Sequence, residues 1–216
     1  MEIAVVLYDG FTALDAIGPY EVLNRLPGAE LYFVAAQPGP VRTDTGVLTV
    51  LAEHGLERSQ RPDVVVVPGG PGEVQARAGG QVLEWLRRVH ETTLFTTSVC
   101  TGSLILAAAG LLEGRRATSH WLAYEELRRL GACPVEERVV FEERLCTAAG
   151  VSAGIDMALA LAARLAGERA AQAIQLGIEY DPQPPFDAGS PQKAPAEVVA
   201  LLRGNSRFEA PAPSAA

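Results

Sequence analysis

Residues 92–112 read TTLFTTSVCTGSLILAAAGLL, and this stretch decides the fold class. Its first half is rich in β-branched and aromatic residues, which favours a strand over 92–99. Its second half is rich in alanine and leucine and predicts a helix over 102–112. A single cysteine, Cys100, stands at the junction. The sequence therefore places a thiol at the carboxyl end of a predicted strand, directly before a predicted helix.

The same alternation of strand and helix extends along the chain on both sides of this junction. Short, continuously apolar runs predict strands at 2–8, 29–36 and 63–70, as in a parallel sheet that is covered on both faces. Further helical patterns occur at 15–26, 73–90, 151–166, 168–179 and 196–203. This alternation predicts a doubly wound α/β sheet. Two other stretches, 41–50 and 135–149, read as antiparallel hairpins.

Length and composition fit one globular domain. The chain has 216 residues, of which 48% are hydrophobic and 20% charged, and we expect a single domain over 1–205 with a flexible tail over 206–216. The net charge of −8 and the lack of any Lys/Arg-rich run argue against nucleic-acid binding. The chain begins without a signal-peptide pattern and has no stretch long enough to cross a bilayer, so we expect a cytoplasmic protein without membrane contact.

The three cysteines are expected to differ in role. They include no CxxC pair, which argues against disulfides and against a cysteine-built metal site. Cys133 and Cys146 lie in a connection and in a hairpin arm, and we interpret both as inert. Cys100 could be an inert core residue too, but ligands of open α/β sheets bind outside the carboxyl ends of the strands.

The position of Cys100 predicts a nucleophile elbow, a sharp strand-to-helix turn that lifts a side chain above the sheet. Gly102 provides the space that such a turn needs. The N-terminus of the following helix points its free N–H groups at the sulfur, which favours the thiolate. We therefore expect the thiol pKa to lie below its free value of about 8.5.

Four other positions are candidates for a site around this thiol. Asp15, in the first βα connection, has apolar neighbours that would raise its pKa and leave a proton to donate, although it could equally be a first-turn helix acid. The run VPGGPG supplies Gly69 and Gly70, whose N–H groups could bind an oxyanion, or which could simply form a tight turn. His120 could lie at the same edge of the sheet or be an ordinary strand-end residue.

Taken in order, several motifs resemble the ThiJ/PfpI superfamily of glutamine-amidotransferase-like folds, and more narrowly its isonitrile hydratases. The matching pieces cover most of 3–195: LDAIGPYEVL, VPGGPG, TSVCTGSLILAAAGLLEGRRATSHW, LGACPVEERVV, AGIDMALALAARLAG and AAQAIQLGIEYDPQPPFDAGSP. The resemblance implies a flavodoxin-like α/β sandwich that forms a homodimer and uses neither cofactor nor metal.

The resemblance also implies roles for individual residues. Cys100 would be the nucleophile, Asp15 its acidic partner, and Thr101 would assist at the elbow. The reaction implied is the addition of water to an isonitrile, which gives an N-substituted formamide through a thioimidate on Cys100 with Asp15 as proton donor. We expect apolar side chains of the first loop, such as Ile17, to line the substrate pocket.

Other functions fit the same residues. A glyoxalase or deglycase would use the same thiol on 2-oxoaldehydes, and a sensor would bind a small molecule or oxidise the cysteine without turnover. Peptidase-like members of the superfamily have a histidine directly after the cysteine, where this chain has Thr101. Deglycase and glyoxalase members tend to have a glutamate at the position of Asp15. Both differences favour the hydratase.

Overall fold

A computed structural model describes residues 1–208. Its main sheet is nearly all parallel, as the sequence predicts. The strands, in chain order, are β1 (Glu2–Val6), β2 (Glu30–Ala35), β3 (Gly39–Arg42), β4 (Thr49–Ala52), β5 (His54–Gly55), β6 (Val64–Val67), β7 (Phe95–Val99), β8 (Arg116–Ala117), β9 (Cys133–Pro134), β10 (Val139–Glu142) and β11 (Leu145–Ala148). Seven of them form the main sheet in the order β10-β11-β7-β6-β1-β2-β5, in which β10 alone is antiparallel to its neighbour.

Helices cover both faces of this sheet. They are α1 (Ala13–Leu23), α2 (Glu73–Ala76), α3 (Gln81–His90), α4 (Gly102–Ala108), α5 (Tyr124–Arg129), α6 (Ala153–Ala166), α7 (Glu168–Gly177) and α8 (Ala196–Gly204), with a 3-10 turn at Trp121–Ala123. Helices α3, α4 and α5 pack on one face, and α1, α6 and α7 on the other. This is the doubly wound, flavodoxin-like sandwich that the resemblance implies.

The valine runs explain why the central strands are buried on both sides. Val65 and Val67 of β6 belong to the core under α3 and α4, while Val64 and Val66 belong to the core under α1 and α6. Alternate side chains of a strand point to opposite faces, so a strand in the middle of a sandwich must be apolar throughout. Continuous apolarity was thus the correct signal for a parallel sheet.

The topology fixes where a ligand can bind. The chain leaves β1 towards α1 on one face and leaves the adjacent strand β6 towards α2 and α3 on the other. Where neighbouring strands send their connections to opposite faces, a crevice opens at the carboxyl ends. The first turn of α1, the loop after β6 and the β7–α4 junction meet at this edge.

Two predicted elements differ from the structure, and one is only partly described. The helix expected over 73–90 is interrupted between α2 and α3 because Gly79 and Gly80 adopt φ of 122° and 98°, which a helix cannot accommodate. The second hairpin, β10 and β11, is antiparallel as predicted, but it is part of the main sheet because β11 pairs with β7. The expected tail over 206–216 is described only to Phe208, and its remainder lies outside the described residues.

Two properties of the described residues bear on function. None of the helices in residues 1–208 combines the length and the apolar character needed to cross a bilayer. Over the same residues, His, Cys, Asp and Glu side chains do not gather in groups of three or more that could hold a metal ion.

Candidate active site

Cys100 occupies a strained turn between β7 and α4. Its φ of 57° lies in the left-handed region, which a non-glycine residue adopts only when its surroundings impose it. Its N–H donates to the carbonyls of Ala148 (3.1 Å) and Ala149 (2.9 Å), and its carbonyl accepts from the hydroxyls of Ser103 and Ser119, both at 3.1 Å. These bonds hold the backbone in the geometry of a nucleophile elbow.

Gly102 makes the elbow possible. A Cβ atom at this position would collide with the carbonyl oxygens of Val67 and Pro68, at the end of the neighbouring strand. The first residue of α4 therefore has to be a glycine for the helix to begin this close to the sheet. Gly102 was expected to leave space for the turn, and the two carbonyl oxygens occupy the place where a side chain would be.

Asp15 lies in the first turn of α1 but does not cap the helix. Its carboxyl group is fully buried, and Oδ2 accepts the N–H of Gly69 at 2.8 Å. The other oxygen, Oδ1, has no partner at hydrogen-bond geometry among residues 1–208, so it retains acceptor capacity inside the site. Burial raises the pKa of Asp15 to about 7, although the Gly69 N–H and the Cys100 thiol both act to lower it.

The loop after β6 connects the acid to the elbow. Gly69 donates to Asp15, while the N–H of Gly70 donates to Oγ1 of Thr101 at 3.0 Å. A Cβ atom on Gly69 would lie 2.5 Å from the Thr101 nitrogen and 3.0 Å from Oδ2 of Asp15. Both N–H groups are thus engaged by protein acceptors and organise the site, so an oxyanion role for Gly69 and Gly70 stays a prediction.

The thiol pKa differs from the sequence expectation in direction. Burial raises the pKa of Cys100 to about 12, and the negative charge of Asp15 adds to the effect. Hydrogen bonds from the N–H groups of Val151 and Thr101 act to lower the pKa of the thiol but do not compensate. The expectation of a low pKa was wrong because only 6% of Cys100 is exposed, and a thiolate withdrawn from water is destabilised.

Cys100 and Asp15 are best described as one titrating unit. Their charges act on each other, so each proton belongs to the pair. Below about pH 7 the pair carries two protons, and above that value it carries one, mainly on sulfur. Near neutral pH the site therefore holds a neutral thiol beside a carboxylate that can accept its proton.

A cavity of about 610 Å³ is lined by the loop that contacts the sulfur. Gly150 and Val151 line it, together with Ser119, His120 and residues of the 3-10 turn and the C-terminal segment. The Val151 N–H reaches Cys100 Sγ from this loop, and Ser119 bonds to the Cys100 carbonyl. The cavity wall therefore adjoins the thiol.

His120 lies at the edge of this cavity. Its Nδ1 accepts the N–H of Leu122 at 3.3 Å, which caps the 3-10 turn, and its ring stacks on Trp121. Burial lowers the pKa of His120, with a further contribution from the charge of Arg207. A Cβ atom on Gly150 would lie 2.9 Å from the His120 ring, so the imidazole packs against the loop that contacts the thiol.

Two other candidates lie away from this arrangement. Ile17 is half-buried and does not line the cavity beside the thiol loop. Glu21, a second acidic residue of the first βα connection that could have served in place of Asp15, is paired with Arg25 at 2.7 Å on the solvated side of α1. A larger cleft of about 850 Å³ opens beside Tyr8 and Gly72, but the elbow residues do not line it.

Sequence reasoning missed the contributions of Ser119 and Val151. Both follow short strands whose carboxyl ends lie at the same edge as Cys100, and this position was the available signal. It also missed the carboxylate of Glu73, which is fully buried in α2 between Arg77 and Arg207. No local pattern distinguishes Glu73 from an exposed helix residue.

Comparison with known proteins agrees with this architecture. A model of the DJ-1/PfpI family matches residues 1–164. The chain belongs to the DJ-1/PfpI family. An isonitrile hydratase from Pseudomonas putida is 44% identical over 199 residues, which cover 92% of this chain and 87% of that protein.

Two further comparisons concern a solved structure and a regulator. A crystal structure of a ThiJ/PfpI family protein from Pseudomonas syringae has a TM-score of 0.92 and 40% identity, and covers 96% of this chain and 86% of that one. The transcriptional regulator CdhR of Pseudomonas aeruginosa is 32% identical over 174 residues, which cover 77% of this chain but 51% of the regulator. The chain is thus similar both to an enzyme and to part of a transcriptional regulator.

Proposed function

We propose that this protein adds water to isonitriles, R–NC, to give N-substituted formamides, with Cys100 as nucleophile and Asp15 as proton carrier. The observation that carries the proposal is the buried thiol–carboxyl pair at the elbow, in which Asp15 changes protonation around pH 7 while the thiol keeps its proton. The 44% identity to an isonitrile hydratase over 92% of this chain supports the substrate class.

In the first step the thiol adds across the terminal carbon of the isonitrile. Asp15 takes the proton from Cys100 while Sγ forms a bond to this carbon, and the carboxyl group then delivers the proton to the same carbon. The product is a thioimidate, R–N=CH–S–Cys100. Because the proton passes through Asp15, neither a free buried thiolate nor an anionic carbon accumulates.

In the second step water adds to the thioimidate. Its oxygen bonds to the carbon and one of its protons goes to nitrogen, which gives a tetrahedral R–NH–CH(OH)–S–Cys100. The C–S bond then breaks with its electron pair on sulfur, while Asp15 moves the hydroxyl proton to the leaving sulfur. The formamide R–NH–CHO leaves, and the thiol–carboxylate pair is restored.

The recessed position of the thiol favours an isonitrile over a carbonyl substrate. Cys100 is only 6% exposed, so little of the residue is accessible to a substrate. The terminal carbon of an isonitrile lies at the end of a linear C–N≡C unit, whereas a 2-oxoaldehyde presents a trigonal carbon with substituents. We assign the cavity beside Val151 and His120 to the R group.

Ligand sensing is the second candidate, because the regulator CdhR is 32% identical over 77% of this chain. A sensor would bind a small molecule at the same edge without turning it over. Redox sensing is less compatible with the site, since oxidation requires an exposed thiolate and the pKa of buried Cys100 is raised. A measurement of formamide turnover distinguishes the two functions, because a sensor binds its ligand without converting it.

We also propose that the protein is a homodimer. The exposed apolar side chains of the C-terminal region support this: Leu176 is 81% exposed, Phe186 78% and Leu201 63%. In addition, α8 has no buried residue within the described chain. Apolar surface of this kind is typical of a protein interface.

The test is a direct assay of formamide production from cyclohexyl isocyanide, with methylglyoxal as the competing substrate. We expect wild type to hydrate the isonitrile, Cys100→Ala to be inactive, and Cys133→Ala, which changes an exposed cysteine, to match wild type. Turnover of methylglyoxal alone would favour a glyoxalase. Unchanged binding by Cys100→Ala, with no turnover by wild type, would favour a sensor.

A further inference from the structure

Arg207 returns from the end of the described chain to the loop after β6. One guanidinium nitrogen donates to the carbonyl of Pro71 at 2.8 Å, and another donates to the carbonyl of Gly70 at 3.3 Å. The second nitrogen also lies 3.2 Å from Oε1 of Glu73. One side chain therefore contacts three residues of the loop–α2 junction, Gly70, Pro71 and Glu73, from a position more than 130 residues away in sequence.

Glu73 anchors the guanidinium. Its carboxylate is fully buried and lies between Arg207 and Arg77, whose Nε is 2.7 Å away. Arg77 in turn pairs with Glu126 of α5 at 2.5 Å. The Glu73 carboxylate is withdrawn from water, so a nearby guanidinium compensates its charge, while Arg207 and Arg77 remain 35% and 20% exposed. The Arg207 nitrogen that donates to the Gly70 carbonyl is thus also held near Oε1 of Glu73.

The opposite side of the same loop faces the reacting groups. The N–H of Gly69 donates to Asp15 and the N–H of Gly70 donates to Thr101, while Arg207 binds the carbonyl of Gly70. The Gly70 carbonyl belongs to the peptide that follows the Gly69–Gly70 peptide, so a displacement of this carbonyl is passed through the Gly70 backbone to the N–H that donates to Thr101, and from there towards the Gly69 N–H. The loop is therefore held between the elbow on one side and the guanidinium on the other.

We propose that Arg207 is a positioning residue that fixes the loop after β6 and thereby aims the Gly69 and Gly70 N–H groups at Asp15 and Thr101. The consequence for the reaction rests on the proposed role of Asp15 as proton carrier. Arg207 does not touch the reacting atoms in this scheme. It acts on them through two peptide groups.

The pKa of Asp15 depends on whether Arg207 fixes the loop after β6. The Gly69 hydrogen bond stabilises the carboxylate, so a loosened loop raises the pKa of Asp15. The other titratable groups that act on this carboxyl are Cys100 and Asp44. The Arg207 charge acts to lower the pKa values of Tyr8, Glu73 and His120, so the Asp15 signal has to be followed individually in the Arg207 variants.

The experiment compares wild type with Arg207→Ala, Arg207→Lys and the control Arg25→Ala, whose ion pair with Glu21 is exposed. The Asp15 pKa is measured by carboxyl ¹³C titration, with the signal assigned by its loss in Asp15→Asn. We expect Arg207→Ala to raise this pKa by roughly half a unit to one unit, a part of what a hydrogen bond to a carboxylate contributes. Formamide turnover should fall about tenfold.

Arg207→Lys keeps a positive charge beside Glu73 but cannot bind two carbonyls in a fork, so it should give an intermediate pKa and turnover. It also supplies the result if Arg207→Ala fails to fold. An Asp15 pKa and turnover equal to those of Arg25→Ala would overturn the proposal, whatever the melting temperature. A shifted pKa in a protein whose wild type makes no formamide would support positioning by Arg207 and reject the hydratase function instead.

Discussion

At the scale of single residues, the site depends on two groups that are poorly suited to burial. Cys100 and Asp15 each have a raised pKa because the fold withdraws them from water. Above about pH 7 they hold one proton together, and the proposed reaction needs that proton to move from sulfur to carbon. The sequence located both residues, but it could not give the direction of the thiol pKa, since burial is a property of the folded chain.

The pH dependence of turnover follows from this pair. Below about pH 7 Asp15 is protonated and cannot take the thiol proton, so turnover should fall as the pH decreases through 7. Asp15→Asn should lower turnover by about 10²–10⁴-fold, and its turnover should no longer fall as the pH decreases through 7. Steady-state rates between pH 5 and 9 measure both effects. If turnover of Asp15→Asn still fell below pH 7 as in wild type, the titration would belong to another group.

The same substitution should stabilise the protein at neutral pH. The pKa of Asp15 rises from 3.8 to about 7 on folding, so the folded state binds this proton more tightly and loses stability as the pH rises between these values. Asp15→Asn removes that loss, which is on the order of 4 kcal/mol above pH 7. Urea unfolding at pH 4 and pH 8 should show an advantage for Asp15→Asn that grows with pH. An advantage independent of pH would contradict the burial argument.

At the scale of elements, the loop after β6 was recognised as glycine-rich, but its role was not predictable. Its two N–H groups bind Asp15 and Thr101, which come from distant parts of the sequence. The strands were predictable because a buried parallel strand is apolar at every position, as Val64–Val67 shows. The contacts of Arg207 with this loop were not predictable, because Arg207 lies in a C-terminal segment that was expected to be a flexible tail.

Substitution of Gly69 tests the loop. A Cβ atom there would lie 2.5 Å from the Thr101 nitrogen, so Gly69→Ala must displace the elbow or the loop. We expect at least a 100-fold loss of turnover and a lower melting temperature. Gly177→Ala is the matched control, since its Cβ would meet nothing within 4 Å at the end of α7. Near-normal turnover in Gly69→Ala would show that the loop does not set the geometry of the site.

At the scale of the whole molecule, the topology explains why one site gathers residues from so many segments. The carboxyl ends of β1, β6 and β7 lie side by side. The first turn of α1, the glycine loop and the elbow follow these strands, so the strand order alone brings them to one edge of the sheet. The fold and the sheet edge could therefore be predicted from the alternation of strands and helices.

The association state is a separate prediction at this scale. Exposed Leu176, Phe186 and Leu201 should be covered by a second copy, which gives a solution mass of twice the 22.8 kDa of one chain. Size-exclusion chromatography with light scattering over a range of concentrations measures this. A single species of one chain mass at every concentration would reject the dimer.

The central claim is that the thiol of Cys100 adds across the isonitrile carbon. Acid quenching during turnover of cyclohexyl isocyanide, followed by intact-mass and peptide mass spectrometry, tests it most directly. The account predicts an adduct equal to the protein plus one intact isonitrile, located on Cys100 and absent from Cys100→Ala. Formamide production by Cys100→Ala, or an adduct on Cys133 alone, would contradict it.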